Sequence, residues 1–406
     1  MKIAQINVTG NGSTGRIMCQ ISAKAKEEGF DTVAYFGRGA APRGEGRYEK
    51  IDGDLHIYLH VLKARLFDKT GHGSVGATKK LVALLKTENP DIIHLHNIHG
   101  YYLNIKILFD YLKTSGKKVV WTLHDCWAMT GGCAYFLNAG CDKWKTGCFG
   151  CPSKNQYPKS FVDKSKREYA FKKDTFTGVK DMILTTPSDW LHELVKESFL
   201  KDYETVTVHN GIDVDKFGPQ GAEKDLETKK KYGIDENTKI ILGVASVWDD
   251  RKRLNMMVAL ADKLKDENVQ VVTVGLSQAQ ADALPKNVLG ITRTENIDEL
   301  VNLYSAAEVF VSTSVEESFS LVVGEAMATG TPIVCVDGGG CKELISDEIG
   351  IVVPRDDIEK LTSSVKALLG KKSEMTAACR ERCINNYSQT KMVDGYMKVY
   401  KEIYGR

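Results

Sequence analysis

Short apolar runs alternate with longer helical patterns along the chain. In the longer stretches, apolar residues recur at the spacing of one helix face. Alternation of strands and helices predicts an α/β fold, with parallel sheets covered by helices on both faces. The predicted strands are residues 3–8, 32–36, 92–95, 118–123, 182–185, 240–244, 269–274, 309–311 and 333–336.

The chain has 406 residues, more than one hydrophobic core usually holds, so we expect two domains. A seam lies near residues 206–213, before a charged run at 223–231. We predict a first domain over residues 1–205, a second over 206–385 and a C-terminal helix over 386–406. The apolar spacing between Met392 and Tyr404 fits that helix.

The composition excludes several protein classes. With 42% hydrophobic and 27% charged residues, the chain is globular rather than disordered. No apolar run approaches the roughly 20 residues of a membrane span. The N-terminus reads as a strand and not as a signal peptide, so we expect a cytoplasmic protein.

The net charge of +2 hides an asymmetry. Residues 1–205 hold 30 Lys and Arg against 22 Asp and Glu, whereas the remainder holds 25 against 31. A basic first half indicates attraction to phosphates or to an anionic membrane surface; an ordinary solvated surface explains it equally well. Within residues 58–86, cationic and apolar side chains are mixed, which fits a membrane interface or a routine amphipathic helix.

Two glutamates, Glu317 and Glu325, follow the predicted strand 309–311. Small polar residues end that strand, and a helix follows. In α/β folds, the loop between a strand and a helix N-terminus holds anionic or hydroxylated ligands. A pair of carboxylates suits acid/base chemistry, but their apolar surroundings suit binding of hydroxyl groups at least as well.

The segment around these glutamates resembles the donor-site signature of family-4 glycosyltransferases. It reads Glu317-Ser318-Phe319-Ser320, then Glu325-Ala326-Met327-Ala328 and Gly330-Thr331-Pro332. The resemblance implies that Glu317 and the backbone N–H groups of Ser318, Phe319, Ser320 and Leu321 hold the donor sugar. It implies that Glu325 binds the ribose hydroxyls. The family has glycines where this chain has the two serines, which leaves the sugar open.

The same resemblance implies the GT-B architecture, in which two doubly wound Rossmann-like domains face a central cleft. Residues 1–205 would then be the acceptor-side domain and 206–385 the domain for the nucleotide-sugar donor. The family commonly begins its second domain near a motif matched by Asn210-Gly211-Ile212-Asp213. Its last helix, here 386–406, returns to the first domain.

A glycine-rich segment, Gly10 to Arg16, lies between the first predicted strand and a helix expected to start near Arg16. Glycines at such a place let backbone N–H groups approach a phosphate. The spacing fits a dinucleotide fingerprint, but the acidic ribose partner is missing. The resemblance implies that this loop closes over donor phosphates and acceptor, with Gly12, Ser13 and Gly15 as binding positions. Arg16 would assist or cap the helix.

Consecutive cations follow the predicted strand 240–244. Such charges would neutralise a nucleotide diphosphate as its bond to the sugar breaks; a solvated charge run is the alternative. Lys252 matches a lysine of the family, whereas Ser246 stands at its arginine position. Arg251 is therefore our candidate substitute.

Histidines follow two strands of the first half. His94 and His96 share one strand face, where hydrogen-bonded packing is a better interpretation than a zinc site. His124 aligns with a histidine that contacts the donor sugar in the family. Asp125 would orient His124 or serve the acceptor.

The cysteines are concentrated in one loop. Cys133, Cys141, Cys148 and Cys151 are interleaved with glycines, and Cys126 precedes them. In a cytosolic chain this spacing indicates structural zinc; free thiols or a redox pair are the alternatives. We expect loop 126–152 to shape the acceptor cleft.

Together with these features, the resemblance to family-4 glycosyltransferases implies a retaining glycosyltransferase that needs no catalytic metal or other cofactor. Its partners would be a UDP- or GDP-type sugar and a saccharide or polyprenyl-diphosphate-linked acceptor, as in surface-polysaccharide biosynthesis. His124, Asp125 and Glu317 are the catalytic candidates, and contact with the inner face of the plasma membrane is expected. The alternatives are a sugar-nucleotide epimerase of the same shape and a zinc-stabilised polyanion-binding protein. No aromatic-interleaved basic motif points to nucleic acid.

Overall fold

The computed structural model describes residues 1–42, 46–51 and 53–406, with only the backbone at positions 54 and 55. The chain forms two compact units. The first comprises Met1–His209 and Met392–Arg406, and the second comprises Asn210–Lys391. The division falls a few residues beyond position 205.

The first unit is built on a parallel sheet. Among the described residues it has seven strands in the order β3-β2-β1-β4-β5-β6-β7. The strands are β1 (Lys2–Thr9), β2 (Asp31–Arg38), β3 (Arg47–Lys50), β4 (Ile92–Leu95), β5 (Lys118–Thr122), β6 (Met182–Thr186) and β7 (Glu204–Thr207). Its helices include α1 (Gly12–Glu27), α2 (Asp54–Phe67), α3 (Val75–Glu88), α4 (Ile105–Ser115), α5 (Ser165–Phe176) and α6 (Asp189–Glu197).

The second unit repeats this plan. Its sheet has six parallel strands within the described part of the chain, in the order β10-β9-β8-β11-β12-β13. The strands are β8 (Lys239–Val244), β9 (Val269–Val274), β10 (Val288–Ile291), β11 (Ala307–Ser312), β12 (Ile333–Val336) and β13 (Gly350–Val353). The helices are α7 (Ala222–Lys231), α8 (Leu254–Lys263), α9 (Gln278–Asp282), α10 (Ile297–Ala306), α11 (Leu321–Ala328), α12 (Ile358–Leu368) and α13 (Lys372–Tyr387).

The last helix, α14 (Gln389–Tyr404), belongs mostly to the first unit. Its apolar face packs into a core with β1, β4 and β5. The Tyr400 hydroxyl lies 2.6 Å from His94 Nδ1, and the Tyr396 hydroxyl lies 3.1 Å from Thr122 Oγ1. These bonds satisfy polar side chains that the sheet buries completely.

All nine predicted strands are present, and the two parallel sheets confirm an α/β fold of two Rossmann-like units. Each sheet has one switch point, where the order of the strands reverses direction. It lies between β1 and β4 in the first sheet and between β8 and β11 in the second. Ligands of such sheets bind at the carboxyl ends of the strands beside that point. No helix within the described residues is both long and apolar enough to cross a bilayer.

Candidate active site

The loops after β8 and β11 meet at the switch point of the second sheet. There Lys252 Nζ contacts the Glu317 carboxylate, and the two side chains are only 16% and 15% exposed. Because both charged groups are largely removed from water, each stabilises the charge of the other. The structure therefore brings together two residues that the sequence placed at the donor site for separate reasons.

Hydrogen bonds to backbone carbonyl groups hold these two loops together. Val315 N–H donates to the Arg251 carbonyl at 2.9 Å, and the Thr313 hydroxyl donates to the Lys252 carbonyl at 2.6 Å. The Arg251 guanidinium bonds to the Glu316 carbonyl at 3.3 Å and to Asp249 Oδ2 at 2.9 Å. Asp249, which the sequence analysis did not single out, thus offsets part of the Arg251 charge.

A glycine-rich stretch holds the other side of the Glu317 loop. Glu317 N–H donates to the Gly338 carbonyl at 2.8 Å, and Gly340 N–H donates to the Glu317 carbonyl at 2.9 Å. A Cβ at position 338 would lie 2.1 Å from the Ser314 carbonyl oxygen, so only glycine fits. The backbone of Glu317 is consequently anchored on both sides.

The serines of this turn differ from each other. Ser320, just before α11, has φ 86° and ψ 83°, a left-handed conformation that suits glycine, whereas Ser318 has no positive φ. The Ser320 hydroxyl is buried and does not cap the helix. Phe319 is a core residue that packs against Tyr387, so only its backbone can serve a ligand.

We expect Ser320→Gly to stabilise the protein by about 1 kcal/mol, because it relieves a left-handed conformation that costs an L-residue about 1–2 kcal/mol. Urea unfolding followed at constant pH measures this. Ser318→Gly is the matched control and should destabilise by roughly 0.5–1 kcal/mol through backbone entropy. Equal effects of the two substitutions would contradict the argument.

Glu325 lies in α11 and is almost fully buried. Its Oε2 accepts a hydrogen bond from the Tyr304 hydroxyl at 3.0 Å. Burial, and then the Glu325 charge, raise the pKa of Tyr304 well above its usual value, so the hydroxyl remains a donor. Tyr304 comes from α10, and its bond to Glu325 was not predicted.

In the first unit, the structure corrects the predicted start of the helix in the glycine-rich segment. Helix α1 begins at Gly12 and not near Arg16, so Ser13 and Gly15 are helical, whereas Gly12 at its first position has φ 74°. The first N–H groups of a helix lack intrahelical partners, so an anion would meet a helix N-terminus rather than a loop. Gly15 has a packing role, because a Cβ there would lie 2.7 Å from the Gly10 carbonyl carbon.

His124 follows β5 and is part of a buried chain of side chains. Its Nε2 lies 3.1 Å from His96 Nδ1, and His96 Nε2 lies 2.9 Å from Gln5 Oε1. Burial lowers the pKa of His124 to about 4 and that of His96 well below its usual value. Both rings are therefore neutral at pH 7.

Asp125 does not orient His124 by a direct bond. Its Oδ2 lies 2.8 Å from His99 Nε2, and its Oδ1 accepts from Trp127 N–H at 2.9 Å. Burial would raise the pKa of Asp125, but His99 and these bonds outweigh it and the pKa is lowered. A small pocket is lined by His99, His124, Asp125 and Trp127.

Acid is expected to destabilise the first unit because His94, His96 and His124 are buried with pKa values lowered by burial. Below about pH 6.5 the unfolded chain binds protons that the folded chain does not. As the pH is lowered, the free energy of unfolding then decreases by up to about 1.4 kcal/mol per pH unit for each of these histidines. Urea titrations from pH 7 to pH 5 measure this slope.

A flat pH profile over that range would contradict the prediction. His94→Gln removes one of the three imidazoles whose pKa burial lowers and should reduce the slope.

The cysteine loop surrounds one cavity of the first unit. Cys133, Cys141, Cys148 and Cys151 all line this one small cavity. Gly131 N–H donates to Cys148 Sγ at 3.1 Å, and a bond from Cys133 lowers the pKa of Cys151. All ten cysteines are free thiols. Within residues 1–42, 46–51 and 53–406, no three His, Cys, Asp or Glu side chains are arranged to hold a metal ion.

Comparison with known proteins places both units in one family. The model of Glycosyltransferase Family 4 matches residues 14–216, and that of glycosyl transferases group 1 matches residues 224–388.

Similar proteins cover different shares of the chain. A putative colanic acid biosynthesis glycosyl transferase, WcaC of Escherichia coli K12, is 23% identical over 99% of this chain and 100% of its own. An E. coli UDP-Gal:alpha-D-GlcNAc-diphosphoundecaprenol alpha-1,3-galactosyltransferase is 25% identical over 51% of this chain and 56% of its own. The structure of Anabaena HepE with UDP superposes with a TM-score of 0.69 at 12% identity, over 99% of this chain and 100% of HepE.

The two sheets are those of the GT-B fold. One family model matches half of the chain, and the second matches most of the other unit. The protein therefore belongs to glycosyltransferase family 4.

Proposed function

We propose that this glycosyltransferase transfers a sugar, with retention of its anomeric configuration, from a UDP- or GDP-sugar to a saccharide or polyprenyl-diphosphate-linked acceptor in surface-polysaccharide biosynthesis. The observation that carries the proposal is the partly buried contact of Lys252 with Glu317 at the switch point of the second sheet. The names of the colanic acid and galactosyl relatives support the substrate class.

The chemistry assigns a role to each side of that ion pair. When the bond between sugar and phosphate breaks, negative charge grows on the diphosphate. Lys252 and Arg251, with the N-terminus of α11, supply positive charge for it. Lys252 would turn from Glu317 to the diphosphate, leaving the carboxylate to accept hydrogen bonds from sugar hydroxyls.

Both carboxylates of the motif have partners, which supports binding rather than nucleophilic roles. Glu317 contacts Lys252 and Glu325 bonds to Tyr304. In the proposed step, the acceptor hydroxyl attacks from the face that the diphosphate leaves, the glycosidic bond forms, and the hydroxyl proton passes to a diphosphate oxygen. This step needs no metal ion or other cofactor.

Thermal stabilisation by UDP- and GDP-sugars tests the donor first. With the donor found, NMR of the product formed on a polyprenyl-diphosphate saccharide reports the anomeric configuration. A product of inverted configuration would contradict retention. Conversion of the donor without acceptor would instead indicate the epimerase alternative, which the family match does not favour.

We propose that the protein contacts the inner face of the plasma membrane through α2. Tyr58, Leu59, Leu62, Leu66 and Phe67 are all exposed there, while Ile57, His60 and Ala64 face the core. Between these apolar side chains stand the exposed cations Lys63 and Arg65. Such a surface buries apolar groups in the interface and attracts anionic lipids.

A second segment extends this α2 surface. Phe161, which is 56% exposed, donates its N–H to the Arg65 carbonyl at 2.8 Å. The Arg167 guanidinium bonds to the Phe67 carbonyl at 3.3 Å. Apolar and cationic groups from two segments thus share one surface.

Vesicle sedimentation tests the α2 surface. The protein should bind vesicles containing phosphatidylglycerol, and the double variant Leu62→Glu/Leu66→Glu should lose that binding. Leu226→Glu changes an exposed leucine of the second unit and is the control. Equal binding of all three proteins would contradict the proposal, and high salt should weaken the wild-type binding.

We also propose structural zinc at the four cysteines of loop 126–152. Their common cavity and the N–H bond to Cys148 Sγ support it, although the thiols would have to rotate toward one centre. Elemental analysis of protein purified without chelator should find about one zinc per chain. Cys148→Ser should lower that content, whereas Cys19→Ser should not. A zinc-free wild-type protein would refute this site.

A further inference from the structure

The side chain of Gln5 has a fixed orientation in the core of the first unit. It lies on β1, fully buried, and its Nε2 stands 3.1 Å from the Met18 carbonyl oxygen and 2.7 Å from Ser22 Oγ. A carbonyl oxygen only accepts hydrogen bonds, so the amide NH₂ must face Met18. The Gln5 Oε1 atom therefore faces the other way, toward His96.

This orientation determines the tautomer of His96. Its Nε2 is 2.9 Å from Gln5 Oε1, which is an acceptor, so His96 must carry its proton on Nε2. A neutral imidazole has a single N–H, and burial keeps His96 neutral by lowering its pKa. His96 Nδ1 is consequently an acceptor.

The same argument determines the tautomer of His124. Its Nε2 lies 3.1 Å from His96 Nδ1, and an acceptor there requires a proton on His124 Nε2. The remaining nitrogen, Nδ1, then holds a lone pair. Among the described residues, His96 is the hydrogen-bond partner of the His124 ring, and both rings are stacked at 5.4 Å between centroids.

We infer that Gln5 and His96 are positioning residues that hold His124 as the Nε2–H tautomer, so that its Nδ1 accepts a hydrogen bond from a hydroxyl of a bound sugar. The sugar contact rests on the proposed function, but the tautomer does not. An acceptor nitrogen recognises a hydroxyl group and rejects a group that can only accept. Gln5 and His96 thus act on substrate recognition without contacting the substrate.

The ¹⁵N NMR spectrum of histidine-labelled full-length protein tests the tautomer without any ligand. Two-bond ¹H–¹⁵N correlations distinguish protonated from unprotonated ring nitrogens. In the wild type we expect His96 and His124 both as the Nε2–H form. A wild-type His124 protonated on Nδ1 would overturn the inference, whatever the variants do.

Gln5→Met removes the acceptor and leaves the Nε2–H of His96 without a partner. Because a buried N–H without acceptor is costly, His96 should move its proton to Nδ1, and the Nδ1–H form of His124 should appear. Gln5→Glu keeps an acceptor oxygen and should restore the wild-type signals. Unchanged His124 signals in folded Gln5→Met would count against the relay.

Tyr400→Phe is the matched control. It removes a buried hydroxyl from the neighbouring His94, 2.6 Å away, and should lower stability without changing the signals of His124. When the donor is known, Gln5→Met should lower kcat/KM by at least about tenfold, since a wrong histidine tautomer disables a site. Wild-type NMR signals as expected, together with no sugar transfer from any UDP- or GDP-sugar, would refute the proposed function but not the tautomer.

Discussion

Lys252→Met is expected to lower kcat/KM for sugar transfer by about 10²- to 10³-fold, the loss typical of one preorganised group that stabilises transition-state charge. Methionine keeps most of the length of the side chain and removes its charge. The decrease should appear mainly in kcat, because the diphosphate gains charge as the bond breaks. Steady-state kinetics with the donor found by thermal stabilisation measure both constants.

The partner of Lys252 allows a sharper version of this experiment. Lys252→Met leaves the mostly buried Glu317 carboxylate without its cation, so stability should fall as well. The double variant Lys252→Met/Glu317→Gln removes both charges and should recover stability but not activity. Recovery of activity in the double variant would mean that Lys252 acts only through folding. Lys263→Met, whose exposed partner is Glu359, is the control and should keep full activity.

Glu325→Gln is expected to raise the KM for the donor by about tenfold, with an equal or smaller decrease in kcat. A carboxylate accepts hydrogen bonds from two ribose hydroxyls, whereas an amide offers one acceptor and one donor. Uniform binding of ground state and transition state changes KM rather than kcat. An unchanged donor KM would contradict the assignment of Glu325.

Tyr304 provides the control for this experiment. Tyr304→Phe removes the hydroxyl that lies 3.0 Å from Glu325 Oε2 but leaves the carboxylate in place. Its effect on the donor KM should therefore be smaller than that of Glu325→Gln. A larger effect would show that the orientation of the carboxylate matters more than its charge.

The strands that the sequence failed to predict share one property. In the part of the chain that the structure describes, β3, β7, β10 and β13 are the edges of their sheets. Residues of β3 and β7 are partly exposed, so their apolar pattern is interrupted, whereas β4 and β6 are buried throughout. A strand of a parallel sheet is recognised in the sequence by a continuous apolar run, which arises when both of its faces are buried. An edge strand is partly exposed and lacks such a run.

Site residues that belong to a sequence motif could be proposed from the sequence, whereas the residues that form hydrogen bonds with them could not. Lys252, Glu317 and Glu325 were selected from their motif, and the structure brings Lys252 and Glu317 into contact. The partners Tyr304 and His99 could not be found in this way, because a tyrosine in a helix and a histidine in a loop have many ordinary uses. The start of α1 was misplaced because Gly12 and Gly15 suggest a loop, although Gly15 is needed for packing against Gly10.

Helix α14 has a consequence for synthesis on the ribosome. His94 and Thr122 are translated early, but the Tyr400 and Tyr396 hydroxyls that bond to them are translated after the whole second unit. Until then, the nascent first unit exposes the apolar side chains that α14 will cover, including Ile3, Ile92 and Val120. The N-terminal half of the chain therefore completes its core last, and chaperones have the entire translation time of residues 210–391 in which to bind it.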